Sequence, residues 1–390
     1  MITFEEATAI VAGAAKVLPV DSVNLPECNG RILAADVFSD MDMPPFDKSA
    51  VDGFACRRQD ITNPLLILET IAAGQVPSTV IGLNECSRIM TGAMLPKGAD
   101  TVLMVEHTEM AGPDLIRYTG NAPATNICFL AEDIHRGDKV LSAGTRIRPQ
   151  HVAVLASAGC WSPKVRTKPV IGIISTGDEL VEPGEKVPAG KIRNSNAWQL
   201  IAQAQNADCI ARYFGIAQDT PESTHKKIVQ AEEECDIILL TGGVSMGDFD
   251  YVPDVIKQSG YKTLFQSIAV QPGKPSVFAV KENKYLFGLP GNPVSSFVQF
   301  ELLVKLLIDK LTACIDIPAI VRLPLGMDYT RRRSDRKSFL PVIIRMNEAF
   351  PVDYHGSAHI HAFVEADGII AVNIGGTEIK KGTLVDVRQL

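Results

Sequence analysis

The sequence predicts a multidomain α/β plus β protein, and three observations carry that reading. At 390 residues the chain exceeds what one ordinary hydrophobic core organises. From Lys168 to about residue 311, apolar β-branched runs alternate with helical segments, the texture of a parallel sheet with crossover helices. On both sides of that stretch, short β-rich runs broken by Gly and Pro predominate.

Taken in order, Thr3 and Glu6 form a capping box ahead of Ala7, Ile10 and Val11, which predicts a helix running to about Lys16. After Asn29-Gly30 the pattern turns strand-like, and Met43-Pro44-Pro45-Phe46 marks a turn or boundary. Residues 47–140 read as a β insertion, with runs such as Leu65–Thr70 and Thr101–Glu106 and no convincing helix. Pro149 to Ala158 predicts a helix with Pro near its start and Gly159 as its cap. In the α/β stretch, strands are expected at 169–175, 208–216, 236–241 and 276–288, and helices at 196–206, 221–234, 253–259 and 293–311. Pro221 and Pro253 fall where a first helical turn tolerates a missing amide. After Pro318 the alternation at Ile320–Leu323, Phe339–Arg345, Ile369–Asn373 and Leu384–Val387 predicts a small β-barrel or sandwich.

Composition narrows the function classes. With 46% hydrophobic and 21% charged residues, neither disorder nor a fibrous chain fits. The start lacks a signal peptide's basic flank and apolar segment, and no run approaches a membrane span, so a cytoplasmic protein without membrane contact is expected. A net charge of −7, with no basic cluster beyond Arg331-Arg332-Arg333, argues against nucleic acid. The eight cysteines (28, 56, 86, 128, 160, 209, 235 and 314) form no CxxC pair and read as reduced thiols. Cys128, between Ile127 and Phe129, reads as an apolar filler. An anionic ligand must therefore be held by backbone amides, a few placed basic residues and a divalent metal.

The chemistry-bearing residues fall just beyond predicted strand ends, where open parallel sheets bind ligands: Ser175 to Glu179, Gln218-Asp219, Thr241 to Asp248, and Gly288 to Pro293. Gly242-Gly243, followed by Ser245 and Gly247, lets successive amides aim at one point. The bland alternative is a tight strand-to-helix turn, and Asp248 and Asp250 add carboxylates suited to Mg²⁺ beside a phosphate. Asn292-Pro293 reads as a helix cap and first residue, and Pro272-Gly273-Lys274-Pro275 as a rigid turn presenting one lysine. Together these residues suggest a nucleotide or phosphorylated ligand with a divalent metal.

The full set resembles the signature of the MoeA/gephyrin-E molybdenumtransferases. It comprises the run from Pro45 to Ala55, Met90-Thr91-Gly92-Ala93, Ser175 to Leu180, Asn194-Ser195-Asn196, Gly242 to Asp248, Pro272 to Pro275 and Gly288 to Ser295. The resemblance implies Mg²⁺-dependent insertion of molybdate into adenylylated molybdopterin with release of AMP. It implies a homodimer, with a molybdopterin adenylyltransferase as upstream partner. The implied architecture is a linker region (1–46 with 141–166), a β-rich insert (47–140), a MogA-like three-layer α/β domain that binds molybdopterin (167–316) and a C-terminal β-barrel (317–390). By matching position, Asp52, Thr91, Asp133, Glu179, Asp219 and Lys274 are the implied catalytic residues. Asp178, Gly242, Gly243, Ser245, Gly291, Asn292, Pro293 and Ser295 are implied to bind the cofactor, and Asp248 and Asp250 the metal.

The sequence departs from the family where basic residues are usual, around Cys128, at Ser267 and Gln271 before Pro-Gly-Lys-Pro, and at Pro341. Each lost charge-assisted hydrogen bond is worth about 1.5–3 kcal/mol. Either neighbours such as Lys48, Lys97, Arg193, Arg333 or Arg336 substitute, or the chain is a pterin-binding paralogue acting as a carrier or handling tungstate. His359-Ile360-His361, read as strand, would put both imidazoles on one face, but no third ligand is evident and the pair is left out of the site. Arg331 to Arg333 reads as a solvated turn.

Overall fold

The computed structural model describes residues 1–122, 124–244, 251–316, 319–354 and 356–390. They divide into two compact units: Met1–Ala35 with Ala143–Arg148 and Lys164–Leu390, and Asp36–Ser142 with Pro149–Pro163.

The first unit is built on a six-stranded sheet. Its strands are β1 (Val170–Thr176), β2 (Ile210–Ala217), β3 (Ile237–Thr241), β4 (Lys262–Ser267), β5 (Pro275–Lys281) and β6 (Lys284–Leu289), in the order β2-β1-β3-β6-β5-β4. The first four in that order are parallel, and β5 is antiparallel to both β6 and β4. Helices α1 (Ser195–Asn206), α2 (Pro221–Glu234) and α3 (Val252–Gln258) match the expected segments closely. So does α4 (Pro293–Gln299), which runs through a π turn at Phe300–Val304 into α5 (Lys305–Leu311). Thr220 Oγ1 accepts from Ser223 N at 3.2 Å beside Pro221, the chemistry that starts α2.

The expected set of strands needs two corrections. The run 276–288 is not one strand but the hairpin β5–β6, which reverses at Glu282 with φ 53 and pairs Lys281 with Lys284. Continuous apolar sequence on both sides hid a two-residue turn that lacks Gly or Pro. The edge strand β4 was not anticipated at all.

Both faces of the sheet are covered, which is why its strands read as unbroken apolar runs. Ile171, Ile173, Leu239 and Phe287 pack toward one face with Leu200 of α1, Val298 of α4 and Leu307 of α5. The N-terminal helix, Phe4–Ala14, joins that core through Ala7 and Val11. Ile174, Ile238, Leu240 and Leu286 meet Ile228 of α2 and Val255 of α3 on the other face. The Thr3–Glu6 capping box is present in both directions, but the helix ends at Ala14 rather than Lys16. Lys16 N instead donates to Tyr285 Oη at 2.8 Å, so a tertiary bond replaces the last turn.

After the α/β segment, strands Ile320–Pro324, Lys337–Arg345, Glu348–Pro351, Gly368–Val372 and Leu384–Gln389 form the C-terminal sheet. A bridge between Leu325 and Ala349 brings the Ile320–Pro324 end of the sheet against Glu348–Pro351, so the strands curl into a small barrel around Leu340, Val342, Ile370 and Val387. Arg331 is no solvated turn residue: its guanidinium donates to the carbonyls of Gly376 (2.6 Å), Arg336 (2.9 Å) and Asn373 (2.6 Å). His359 and His361 are not on a strand either. Ile360–Phe363 is a 3-10 turn, so a two-residue spacing no longer places both imidazoles on one face.

The second unit holds a mixed six-stranded sheet in the order Thr101–Met104, Gly53–Cys56, Glu85–Ile89, Leu65–Ile71, Leu115–Tyr118, Thr108–Gly112. Alternation sends Phe54 and Cys56 into one core and Ala55 into another. Its one α-helix among the described residues is Pro149–Ser157, followed by Gly159 at φ 74. None of the eight cysteines is in a disulfide, and burial pushes the Cys56 and Cys86 thiols up to about 12. No helix among the described residues is long and apolar enough to cross a membrane.

Candidate functional site

β1, β3 and β6 end side by side, and their following loops are stitched together. Thr176 Oγ1 donates to the Thr241 carbonyl at 3.3 Å, and Gly242 N donates to the Leu289 carbonyl at 3.1 Å. Gly242 and Gly243 both have positive φ, 100 and 60. A Cβ on Gly242 would lie 2.6 Å from the Thr176 carbonyl oxygen, so the turn needs glycine for space as well as for conformation.

Asn196, at the start of α1, fixes two of these loops at once. It is buried, and its Nδ2 donates to Thr241 Oγ1 at 3.1 Å and to the Gly291 carbonyl at 2.8 Å. Asn194 caps α1 by accepting from Ala197 N at 3.3 Å, while also accepting from Ser175 Oγ at 3.1 Å and donating to Tyr213 Oη at 2.8 Å. Both asparagines belong to a quoted motif, yet neither was singled out as a site residue. Their role is contact with partners distant in the chain, which a sequence pattern does not display.

Asp178 and Asp219 are brought together from the ends of β1 and β2. Asp178 N donates to Asp219 Oδ2 at 3.0 Å, and Asp219 N donates to Asp178 Oδ1 at 3.2 Å. Both side chains are exposed, so the pair offers carboxylate oxygens at the rim. Glu179 folds back over Gly177, where any Cβ would strike its carboxylate. Lys191, which the sequence reading passed over, donates its ammonium to the Asp178 carbonyl. Tyr251 was also missed. Its Oη donates to the Gln218 carbonyl at 3.3 Å and lies 3.3 Å from Thr224 Oγ1, and burial raises its pKa.

Beside Asn194 opens an apolar hollow of about 830 Å³. It is walled by Trp198 and Tyr213, whose rings sit 5.8 Å apart, and Trp198 Nε1 donates to Glu182 at 3.3 Å. Isolated aromatics in a helix and an edge strand gave no pattern from which this hollow could have been found.

Asn292 and Pro293 do start α4, but the Asn292 side chain makes no cap. Its amide donates to Ser357 Oγ at 2.8 Å, and Val294 N donates to the Ser357 carbonyl at 3.0 Å, so the barrel segment supplies the cap. Ser295 is buried in the first turn. Lys274 is exposed on its turn, which follows a cis Gln271–Pro272 bond and is tied to α4 by Gln299 Nε2 donating to the Pro272 carbonyl at 3.3 Å. No hydrogen bond links Lys274 to Asp178 or Asp219 among the described residues. Ser245, Asp248 and Asp250 lie outside the described residues. Within the described residues, no three His, Cys, Asp or Glu side chains gather as a metal cluster.

In the second unit the Asp52 Oδ1 accepts from both the Thr91 amide and the Thr91 hydroxyl, each at 2.7 Å. These bonds, the hydroxyl first, hold the Asp52 carboxyl below its ordinary range. Asp133 is anchored by its backbone, N to the Met43 carbonyl at 3.0 Å, and its carboxylate makes no bond to Asp52 or Thr91. Two of the positions without a basic residue have cationic neighbours. Cys128 pairs in register with Lys48, and Gln271 lies one step along a parallel pairing from Val270–Lys337. Pro341 is buried opposite Ile369, and Ser267 pairs with Pro275.

Comparison with known proteins accounts for nearly the whole chain. Residues 2–159 match the MoeA N-terminal region (domain I and II), 172–310 a probable molybdopterin binding domain, and 323–390 the MoeA C-terminal region (domain IV). A molybdopterin molybdenumtransferase of Staphylococcus epidermidis is 34% identical over 380 residues, 94% of this chain and 90% of that protein. The Staphylococcus aureus enzyme of the same name is 33% identical over 401 residues, 99% of this chain and 95% of its own. The crystal structure of the molybdopterin biosynthesis moeA protein from Pyrococcus horikoshii OT3 superposes with a TM-score of 0.87 at 29% identity, covering 100% of both chains. With its loop crevice, its fold and its relatives in agreement over almost all of its length, the chain belongs to the MoeA family of molybdopterin molybdenumtransferases, enzymes of molybdenum-cofactor biosynthesis.

Proposed function

We propose that this chain inserts molybdate into adenylylated molybdopterin and releases AMP, with Mg²⁺ as its divalent cation. The observation that carries the reading is the reciprocal Asp178–Asp219 pair beside a crevice built from three glycine-containing loops. Hard oxygen donors from adjacent loops suit Mg²⁺, which is commonly held by one or two carboxylates plus substrate phosphate oxygens. Asp178 and Asp219, with Asp248 and Asp250 as the expected ligands, are the residues that would hold it. When bound, the ion offsets the repulsion between two anionic substrates.

The chain's own groups do the rest. The amides of Gly242 and Gly243 and the start of α4 are suited to phosphate oxygens. Glu179 and the spare lone pairs of Asp178 and Asp219 are suited to accept from the amino and ring N–H groups of a pterin. Lys274 contributes a positive charge on a rigid turn, and Asp52, Thr91 and Asp133 are assigned to the same reaction. A molybdate oxygen attacks a phosphorus of the phosphoanhydride between the pterin's phosphate and AMP, AMP leaves, and the two dithiolene thiols replace two oxygens on molybdenum, one retained as the new phosphate oxygen and the other released as water with the two thiol protons. No side chain has to become covalently bound, because the contribution asked of the protein is positioning of two anions. The same reading includes the four-domain division, a homodimer in the cytoplasm and a molybdopterin adenylyltransferase as supplier of substrate.

The test is direct. Purified protein with adenylylated molybdopterin, molybdate and Mg²⁺ is expected to yield AMP and active cofactor. Absence of AMP above the enzyme-free background refutes the proposal. A second reading, a pterin carrier or a tungstate-handling paralogue, is favoured by the uncharged Gln271 and the buried Pro341. Tight pterin binding without AMP release supports the carrier, and faster turnover with tungstate than with molybdate supports the paralogue.

A further inference from the structure

A second concave site lies at the other end of the same sheet. The crevice above is at the carboxyl ends of β1, β3 and β6, whereas this cleft, about 370 Å³, is bordered by Ala207 and Asp208, just before β2. Its walls carry four cationic side chains, Arg146, Arg148, Lys305 and Arg388, beside three carboxylates, Asp208, Asp309 and Asp316. A smaller adjoining hollow shares Arg146 and Asp208 and adds Arg31, Arg166 and Lys168.

The cations differ in how they are satisfied. Arg146 pairs with Asp208 at 3.3 Å and Asp309 at 3.5 Å, Arg148 with Asp316 at 3.1 Å, and Lys305 with Glu301 at 2.8 Å. Arg388 is half-buried on the last strand, and its guanidinium has no hydrogen-bond or ion-pair partner among the described residues. The carboxylates that act on it from a distance are Glu301 and Asp309, and both are already engaged. Burial lowers the Arg388 pKa, against the opposing pull of the Glu301 and Asp309 carboxylates. In the adjoining hollow, Arg166 Nε is fully buried without a hydrogen-bond partner.

A guanidinium left in that state costs free energy unless an anion meets it, and its planar fork matches phosphate oxygens. The volume falls within the range of small-molecule sites. We propose that this cleft is a binding site for a phosphate monoester of up to mononucleotide size. Arg388 and Arg148 contact the phosphate, and Arg146 is held by Asp208 and Asp309 as a fixed wall. The site is separate from the crevice assigned to the pterin, and its existence does not depend on the reaction proposed there.

The experiment is calorimetric titration of the full chain with ribose 5-phosphate, and separately with inorganic phosphate, in a buffer free of other oxyanions. Saturable binding of ribose 5-phosphate is expected. Arg388→Gln and Arg148→Gln are each expected to weaken it by about tenfold or more, while Asp178→Ala leaves it unchanged. Arg148 is largely exposed, so its variant keeps the test valid should Arg388→Gln misfold. Absence of binding to the wild type overturns the proposal, and so does binding that survives both arginine substitutions or is lost with Asp178→Ala.

Discussion

At the carboxyl ends of its parallel strands the central sheet gathers glycines and carboxylates, and at the amino ends it gathers guanidinium groups. The carboxyl end is internally satisfied: Asp178 and Asp219 accept from each other's backbone, and Asn196 closes the hydrogen bonds of two loops. The amino end leaves Arg388 without a hydrogen-bond or ion-pair partner among the described residues. One end is therefore organised before any ligand arrives, and the other carries a charge that a ligand would complete. The contrast teaches that charge sign alone does not locate an anion site, because an acidic rim suits anions when a divalent cation and backbone amides mediate.

The largest expected effect is on the acidic rim. Asp178→Ala is expected to lower AMP release about 100-fold or more, read as single-turnover rate, because both a carboxylate and a loop contact go with it. Retained turnover places the chemistry elsewhere. Next comes Gly242→Ala, in which the new Cβ meets the Thr176 carbonyl at 2.6 Å and the φ of 100 disfavours any side chain. A loss of about 1–3 kcal/mol in denaturant unfolding is expected. An unchanged midpoint would mean that the loops are not packed as described.

Asn196→Leu is expected to cost a similar 1–3 kcal/mol, roughly, because the Gly291 carbonyl and Thr241 hydroxyl lose their shared donor. Pterin affinity should fall along with stability, and if affinity is preserved the asparagine serves the core alone. Arg388→Met, at the opposite end, is expected to leave AMP release within error of the wild type and to keep the melting temperature in phosphate-free buffer. A drop in AMP release would show that the two ends are coupled rather than independent.

The smallest effect is a titration. Asp52 has a folded pKa below its ordinary 3.8, so its bonds to Thr91 contribute stability above that value, and the contribution disappears as pH falls through the folded one. Thr91→Val removes the hydroxyl, the larger cause, and should move the Asp52 midpoint upward in an NMR titration. A midpoint that stays put would mean the amide alone sets it.

Much of this was legible in the sequence because it is local. The capping box at Thr3–Glu6, the prolines opening α2 and α3, and the Gly-Gly turn after β3 are each decided by residues within a few positions of one another. What escaped depends on distant partners. The β5–β6 turn at Glu282 has no glycine or proline to announce it, and the histidines near 360 sit in a 3-10 turn set by their surroundings. Arg331 looked like one of three solvated arginines, yet it ties together carbonyls more than 40 residues away in sequence. Which cation stands beside a position that lacks a basic residue is a matter of register. Lys48 faces Cys128 only because two short strands pair at that step.

The reciprocal bond between Asp178 and Asp219 has a thermodynamic consequence of its own. Each residue holds the other's loop, so the two behave as one latch. Single substitutions should each release most of the latch, and the double variant should then cost less than the sum of the two, the mark of a coupled pair in a double-mutant cycle. A rim latched in this way has already met the entropy cost of ordering its loops during folding, which leaves more of any ligand's contact energy to appear as affinity.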